Sequence, residues 1–497
     1  MASGGTARAS FAFRSSELAT LSDLGRAMLI RIRIRIRIRT VSALAILLAL
    51  TNVSQANDGE ASASSRPPNV ILIMADDLGY GDLGCYGNEI IKTPVLDRMG
   101  AEGLRLTSFY AGCSVCTPSR MALMTGAHPA RVGWPGGVMG YKIDWSNGLA
   151  PEALTMPEVF QSSGYATGMC GKWHLGNDAP MRPMSQGFDS AYYIKSSNNQ
   201  TKKLWFDEKL IADPFDNRRL TEKFTASAIE FIQTNHDGPF FLYVPFSAPH
   251  FPAQAHPDWK GKSKLGAYGD VVEEMDSRIG QILDALQEHE LDDRTIVIFT
   301  SDNGPEPGQK EWARASPFRG LKWSSLEGGN RVPCVVRWPG VIAEGRVCDE
   351  MISSVDLLPT LAQACGIDLA AISTSTPNVD GVNVWDTMID KPDNKHARSD
   401  LLFWSGWATP QAIRVHDWKL YFDHVKKVKG SDKRPVLINL AEDPAERTNL
   451  SARYPEKVRE MMELALERLA DIEVDTMTLG GPAISTKPTK KRPRWLK

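Results

Sequence analysis

The sequence predicts an α/β fold, a large mixed but mostly parallel central sheet flanked by helices, followed by a smaller α+β domain with an antiparallel sheet. Three observations carry this expectation. Short continuous apolar runs recur along residues 69–340, and stretches of helical length separate them. From about residue 378 the texture changes to shorter strand-like pieces.

Taken in order, residues 1–56 carry eight Arg against one Glu and one Asp, including RIRIRIRIR at 31–39, and then the apolar VSALAILLAL at 41–50. A charged stretch, a short apolar core and a small-residue end at Ser54 and Ala56 read as a signal peptide cleaved after Ala56, with Met28 as an alternative start. The apolar run is too short to span a bilayer, so no transmembrane anchor is expected, and the mature chain is placed in the periplasm or outside the cell. Residues 57–68, closing in SASSRPP, read as a linker. NVILIMADD at 69–77 is an apolar run ending in two carboxylates, as suits a strand buried on both faces of a parallel sheet. Similar runs stand at YATGMCG 165–171, PFFLYVPF 239–246, TIVIFTSDNG 295–304 and VPCVVRWPG 332–340. Helical stretches alternate with them at 155–164, 220–235, 269–291 and 354–366, which assigns 69–377 to one main domain. LLFWSG 401–406, QAIRVHDWKLYFD 411–423, PVLINL 435–440 and a helix over 454–472 make the smaller domain, 378–475. The basic, Pro-broken end over 476–497 reads as a disordered tail.

Composition narrows the function. The 497 residues are 42% apolar and 23% charged, enough for a sizeable core. Removing the +6 of residues 1–56 from the chain's −2 leaves the remainder at −8, which argues against a nucleic-acid partner. Seven cysteines follow residue 56, an odd number, so at least one stays unpaired in an exported monomer. Cys116 is the candidate.

Cys116 opens C-T-P-S-R-x-x-x-x-T-G, closing at Thr125 and Gly126, a pattern whose chance occurrence is on the order of 10⁻⁵. Pro118 and Ser119 suit a helix start and Gly126 its end, which sets the cysteine at a helix N-terminus where free N–H groups favour an anion. Cys113, three residues earlier, also permits a C-x-x-C redox pair, but that reading leaves Arg120 and the acidic clusters without a role. Asp76 and Asp77 end one apolar strand, and Asp302 and Asn303 end another. Converging, they offer four hard oxygen ligands, a set for Ca²⁺ or Mg²⁺ rather than zinc. Either pair alone is equally consistent with a helix N-cap or an Asx turn.

The cysteine pattern resembles the signature of the formylglycine-dependent sulfatases, in which the cysteine is oxidised during export to Cα-formylglycine. The resemblance spans roughly residues 66–450, including SSVDLLPTL 353–361 and LINLAEDPAERTNL 437–450, and is strongest to the arylsulfatase A-like branch. It implies an alkaline-phosphatase-like core, a small four-stranded C-terminal domain, and hydrolysis of a sulfate monoester on a glycan or small aryl molecule. It further implies that Cys116 becomes the nucleophile after conversion by a formylglycine-generating or equivalent maturase. Asp76, Asp77, Asp302, Asn303 and an oxygen of modified Cys116 would bind Ca²⁺, or Mg²⁺ in its place. Arg120, Lys172 and His174 of GKWHLG, His250 of SAPHFP and Lys322 of FRGLKWSSLEGGNRVP stand where the family keeps basic active-site residues. Leu321 and Trp323 depart from the small residues frequent there. His128, His256 and His416 fall outside these motifs and are read as structural. Two alternatives stay open: a phosphate or phosphonate ester hydrolase of the same superfamily, and a catalytically idle sulfoglycan-binding protein. Trp404, Trp407 and the polar segment 192–205 are the sequence's candidates for a substrate rim.

Overall fold

A computed structural model describes residues 66–372, 379–392, 398–432 and 435–474. The expected signal peptide, most of the linker and the basic tail lie outside the described residues. The centre is a ten-stranded sheet. Its strands are β1 (Asn69–Ala75), β2 (Leu104–Leu106), β3 (Ala166–Lys172), β4 (Ser190–Ile194), β5 (Leu204–Phe206), β6 (Lys209–Ala212), β7 (Phe240–Pro245), β8 (Thr295–Ser301), β9 (Cys334–Arg337) and β10 (Arg346–Cys348). In space they run β10-β2-β9-β8-β1-β7-β3-β4-β5-β6, and the block from β8 to β4 is parallel. The apolar run at 332–340 yields β9, which pairs antiparallel with β8 and so lies outside that block.

The unbroken apolar texture of β1 follows from burial on both faces. Val70, Leu72 and Met74 point into one core, and Ile71, Ile73 and Ala75 into the other. Each buried Val, Ile or Leu contributes about 1.5–3 kcal/mol relative to exposure. Helices α1 (Pro94–Ala101), α4 (Leu220–Asn235) and α5 (Gly266–Glu288) cover the second face, burying Leu96, Phe224 and Met275. Helices α2 (Cys116–Thr125), α3 (Met156–Ser162) and α6 (Leu357–Ala364) cover the first, burying Met121, Phe160 and Leu361. Thr155 caps α3 reciprocally with Glu158: its Oγ1 accepts from Glu158 N–H at 3.4 Å, and a Glu158 carboxylate oxygen accepts from Thr155 N–H at 2.8 Å.

A second, four-stranded antiparallel sheet comprises β11 (Asp400–Trp404), β12 (Pro410–Val415), β13 (Trp418–Tyr421) and β14 (Val436–Asn439). The 411–423 piece thus divides into two strands of a hairpin. One face, with Leu402, Ile413 and Leu437, joins the first core beside α7 (Pro455–Val474), and the other, with Phe403 and Ile438, packs on Tyr110.

A buried ionic cluster ties this sheet to the main one. The Lys419 ammonium lies 2.8 Å from Glu327 and 3.3 Å from Glu446, all three side chains fully buried, and donates to the Ser325 carbonyl at 2.9 Å. Burial would raise the Glu327 carboxyl, but Lys419 first, then Arg331 and Arg414, hold it at about 2. Its ion pair therefore adds stability that is full above the ordinary value of 4.5 and is lost as pH falls toward 2. Lys419→Met should cost about 3–5 kcal/mol at pH 7, because Glu446 is left buried without its cation and Glu327 keeps only its arginine partners. Urea unfolding at pH 7 and pH 4 checks it: the penalty should shrink at pH 4, where protonation relieves Glu446, whose carboxyl burial raises.

Candidate active site

Adjacent parallel strands deliver the polar groups to one edge of the sheet, at their carboxyl ends. Asp76 and Asp77 follow β1, Asp302 and Asn303 follow β8, Lys172 ends β3, and His250 lies beyond β7. Register sets the pairing: Ala75 faces Ser301, and Asp302 N–H donates to the Ala75 carbonyl at 3.2 Å. The two acidic motifs then interlock. Asp77 N–H donates to Asp302 Oδ1 at 3.1 Å, and Asn303 Nδ2 donates to Asp77 Oδ1 at 2.7 Å. Asp77 and His174 hold left-handed backbone conformations, φ 69° and 65°, a local strain common at functional sites.

Each carboxylate meets a cation. Lys172 Nζ donates to both oxygens of Asp76 at 2.9 and 2.7 Å. Lys322 Nζ donates to Asp77 at 2.8 Å and lies 3.2 Å from Glu306. Arg120 directs Nε and Nη2 to Asp302 Oδ2 at 2.9 and 2.7 Å and donates from Nη1 to the Lys172 carbonyl at 3.1 Å. His250 Nε2 lies 3.7 Å from Asp77, while its Nδ1 meets the Asn198 side-chain oxygen at 3.1 Å. Burial pushes the Asp76 carboxyl upward, but Lys172, His250 and Arg120 outweigh it and hold it well below the usual range. Burial lowers the Lys322 ammonium in turn, and Asp77, with Cys116, Glu306 and Asp76, together more than reverse this.

Cys116 is the first residue of α2 and is buried at the helix N-terminus. The helix begins two residues before the predicted Pro118–Ser119 start, because Val115 rather than Thr117 supplies the extended capping residue. Its other end falls as expected, with Gly126 left-handed at φ 64°. Burial raises the Cys116 thiol against the pull of Lys172 and Lys322, so the sulfur is protonated at neutral pH and a poor nucleophile as it stands. All seven cysteines are free, Cys113 included, so the C-x-x-C is not a disulfide here. His174 lies 3.4 Å from Thr117 Oγ1 through Nδ1 and 3.4 Å from the Met139 carbonyl through Nε2. Burial lowers its pKa well below the ordinary value, with Lys172 and Arg120 adding to the effect, and the ring is neutral.

The structure thus brings Cys116, Arg120, Lys172, His174, His250 and Lys322 together with Asp76, Asp77, Asp302 and Asn303. His128 and His256 are buried elsewhere, on Asp380 and Glu274, and His416 follows β12. Thr117, Asn198 and Glu306 are neighbours that sequence reasoning did not single out. Asn198 lies in the polar segment 192–205, the one signal that pointed to it. Trp404 is buried in the core and is no part of a rim.

The residues fit a hard cation. Ligand atoms of Asp76, Asp77 and His250 lie within 4.8 Å of one another. Asn303 Oδ1 is buried beside them with no hydrogen-bond partner, an acceptor waiting for a positive ligand.

A sheet with its polar groups at the strand ends and this ionic cluster define an alkaline-phosphatase-like hydrolase of anionic esters. Comparison narrows the class. The model of the sulfatase family matches residues 68–367, and the chain belongs to that family. It is similar to human arylsulfatase A, 34% identical over 85% of this chain and 91% of that one. Mouse N-acetylgalactosamine-6-sulfatase is 32% identical over 79% and 83% of the two chains. The solved structure of PsFucS1 sulfatase from Pseudoalteromonas sp. superposes with a TM-score of 0.75 at 26% identity, covering 84% of this chain and 92% of that one. The protein is accordingly a sulfatase, an enzyme that hydrolyses sulfate esters. No described helix is long and apolar enough to cross a membrane.

Proposed function

We propose that this sulfatase cleaves a carbohydrate sulfate monoester at Cys116, converted to Cα-formylglycine, with Ca²⁺ held by Asp76, Asp77, Asp302 and Asn303 and an oxygen of the modified residue. The observation that carries the reading is the position of Cys116, a buried, protonated thiol at a helix N-terminus amid basic side chains. Hydrated formylglycine supplies a hydroxyl nucleophile and a second hydroxyl whose deprotonation releases sulfate. The cation supplies positive charge for the sulfate oxygens.

The chain's own residues do the rest. Arg120, Lys172 and Lys322 neutralise an ester whose anionic oxygens repel nucleophiles, and the free N–H groups of α2 point the same way. Lys322, an ammonium donating to Asp77, and His250, beside the same carboxylate, are the groups assigned to protonate the departing alcohol oxygen. His174, neutral in the buried site, accepts the proton that leaves the nucleophilic residue. Glycan sulfate is favoured over small aryl sulfate because a similar relative is named for a sugar sulfate and the rim carries exposed aromatic and polar groups.

Expression with a formylglycine-generating maturase, followed by the mass of the peptide containing Cys116, tests the reading. Oxygen in place of sulfur is expected, together with faster hydrolysis of nitrophenyl sulfate than of nitrophenyl phosphate. A retained thiol while a control protein is converted removes the nucleophile, and faster phosphate hydrolysis reassigns the reaction.

A further inference from the structure

Three aromatic side chains from three separate segments meet beside the site. The Trp323 and Trp407 rings stack with centroids 5.1 Å apart at 29°, and Tyr141 stands edge-on to both at 6.2 and 5.9 Å. Tyr141 and Trp407 are 52% and 49% exposed, too open for core packing. Lys142 places its ammonium 5.9 Å from the Trp407 ring and has no carboxylate partner among the described residues.

The wall is fixed to both sides of Cys116. On one side Trp323, directly after Lys322, donates its N–H to the Ser114 carbonyl at 2.9 Å. Its ring lies against Gly406, where an added Cβ would come 2.3 Å from Trp323 and 3.3 Å from Val115, the neighbour of Cys116. On the other side Met139, two residues before Tyr141, donates its N–H to Thr117 Oγ1 at 3.0 Å. The Trp407 loop is docked in turn by Gly137 N–H on the Gly406 carbonyl at 2.7 Å, and a Cβ on Gly136 would strike the Trp407 backbone at 2.7 Å. The surface is therefore built before any ligand arrives.

We infer that Tyr141, Trp323 and Trp407 form a stacking subsite for the ring of a sulfated sugar, and that Lys142 meets a second anionic group on the same glycan. This rests on the sulfatase reading of Cys116, since it places the sulfated position beside that residue. An amphipathic wall that is half in water suits a sugar, which offers a CH face to the rings and keeps its hydroxyls solvated. A wholly apolar ring system would leave its outer face wet on so open a surface. The unpaired ammonium selects for added negative charge.

The test uses the Cys116→Ala protein, which holds substrate uncleaved, titrated calorimetrically with a disulfated hexosamine–uronate disaccharide. Trp407→Ala should weaken binding about tenfold, and Trp407→Phe should recover most of the loss. Lys142→Gln should narrow the preference for the disulfated over a monosulfated disaccharide about threefold. In the converted enzyme, Trp407→Ala should raise KM more than it lowers kcat, with a loss on the disaccharide about tenfold greater than on nitrophenyl sulfate. Equal losses on both substrates, or a larger one on nitrophenyl sulfate, would overturn the sugar subsite. Hydrolysis of nitrophenyl sulfate without disaccharide binding would overturn it as well, leaving the reading of Cys116 intact. Disaccharide binding that depends on Trp407, in a protein that turns over no sulfate, would support the wall and count against Cys116 instead.

Discussion

Cys116→Ala is expected to lower sulfate-ester turnover by at least about 10⁴-fold while the protein still folds. The residue is buried, but alanine at the first position of α2 keeps the helix and removes only the sulfur. Serine at the same position separates two ideas about the site. If the surrounding cations alone drive reaction with water, both variants retain similar activity. If residue 116 supplies the attacking oxygen, Cys116→Ser can attack sulfur once, the alcohol leaving with a proton from Lys322 or His250, and then stalls. A serine sulfate has no second hydroxyl on its carbon, so its release needs a fresh attack at sulfur. A single burst of alcohol and an intact mass heavier by one sulfuryl group are therefore expected for serine, and neither for alanine. Full steady-state activity in the alanine variant would remove Cys116 from the mechanism. A matching thermal midpoint for both variants keeps the result from being read as unfolding.

Much of this site was legible because its parts sit at the ends of strong local signals. The runs 69–77 and 295–304 are apolar, become β1 and β8, and their polar ends carry the carboxylates into one cluster. The 220–235 stretch became α4 with the same limits, and Gly126 closed α2 where its conformational freedom is needed. What stayed hidden depends on distance along the chain. Strands β2, β5, β6 and β10 have three or four residues each, too few for a period to register, and owe their existence to neighbours in the sheet. The antiparallel direction of β9 is set by its connection, and its composition matches that of the parallel strands. Asn198 meets His250 across 52 residues and Glu306 meets Lys322 across 16, pairings with no local pattern. Trp404 and Trp407 are three residues apart and equally aromatic. Only the bulge after Phe403 and the loop beyond it bury the first and expose the second.

Chelation should lower turnover by at least about a hundredfold and lower the thermal midpoint, and Ca²⁺ should restore both at lower concentration than Mg²⁺. The reason lies in the charge balance. By formal charge Asp76, Asp77, Asp302 and Glu306 outnumber Lys172, Lys322 and Arg120, so these seven groups sum to −1. A dication on the carboxylates would move the cluster to +1, the sign a sulfate ester requires, and would leave the three basic side chains free to face the anion. The Asn303 oxygen offers the discriminating variant. It is neutral, buried and without a partner, so Asn303→Ala leaves the charge balance as it is and removes one proposed ligand, together with the Nδ2 hydrogen bond to Asp77. The variant should need about 10–100 times more Ca²⁺ for the same rise in thermal midpoint, and for the same activity. The thermal readout needs no turnover, and with both proteins compared at the same state of residue 116, whose modified oxygen is itself a proposed ligand, it separates a weakened cation site from a missing nucleophile. A thermal midpoint indifferent to chelator, or an Asn303→Ala titration that overlays the parent protein, would mean that this cluster is held by its own ion pairs and binds no cation.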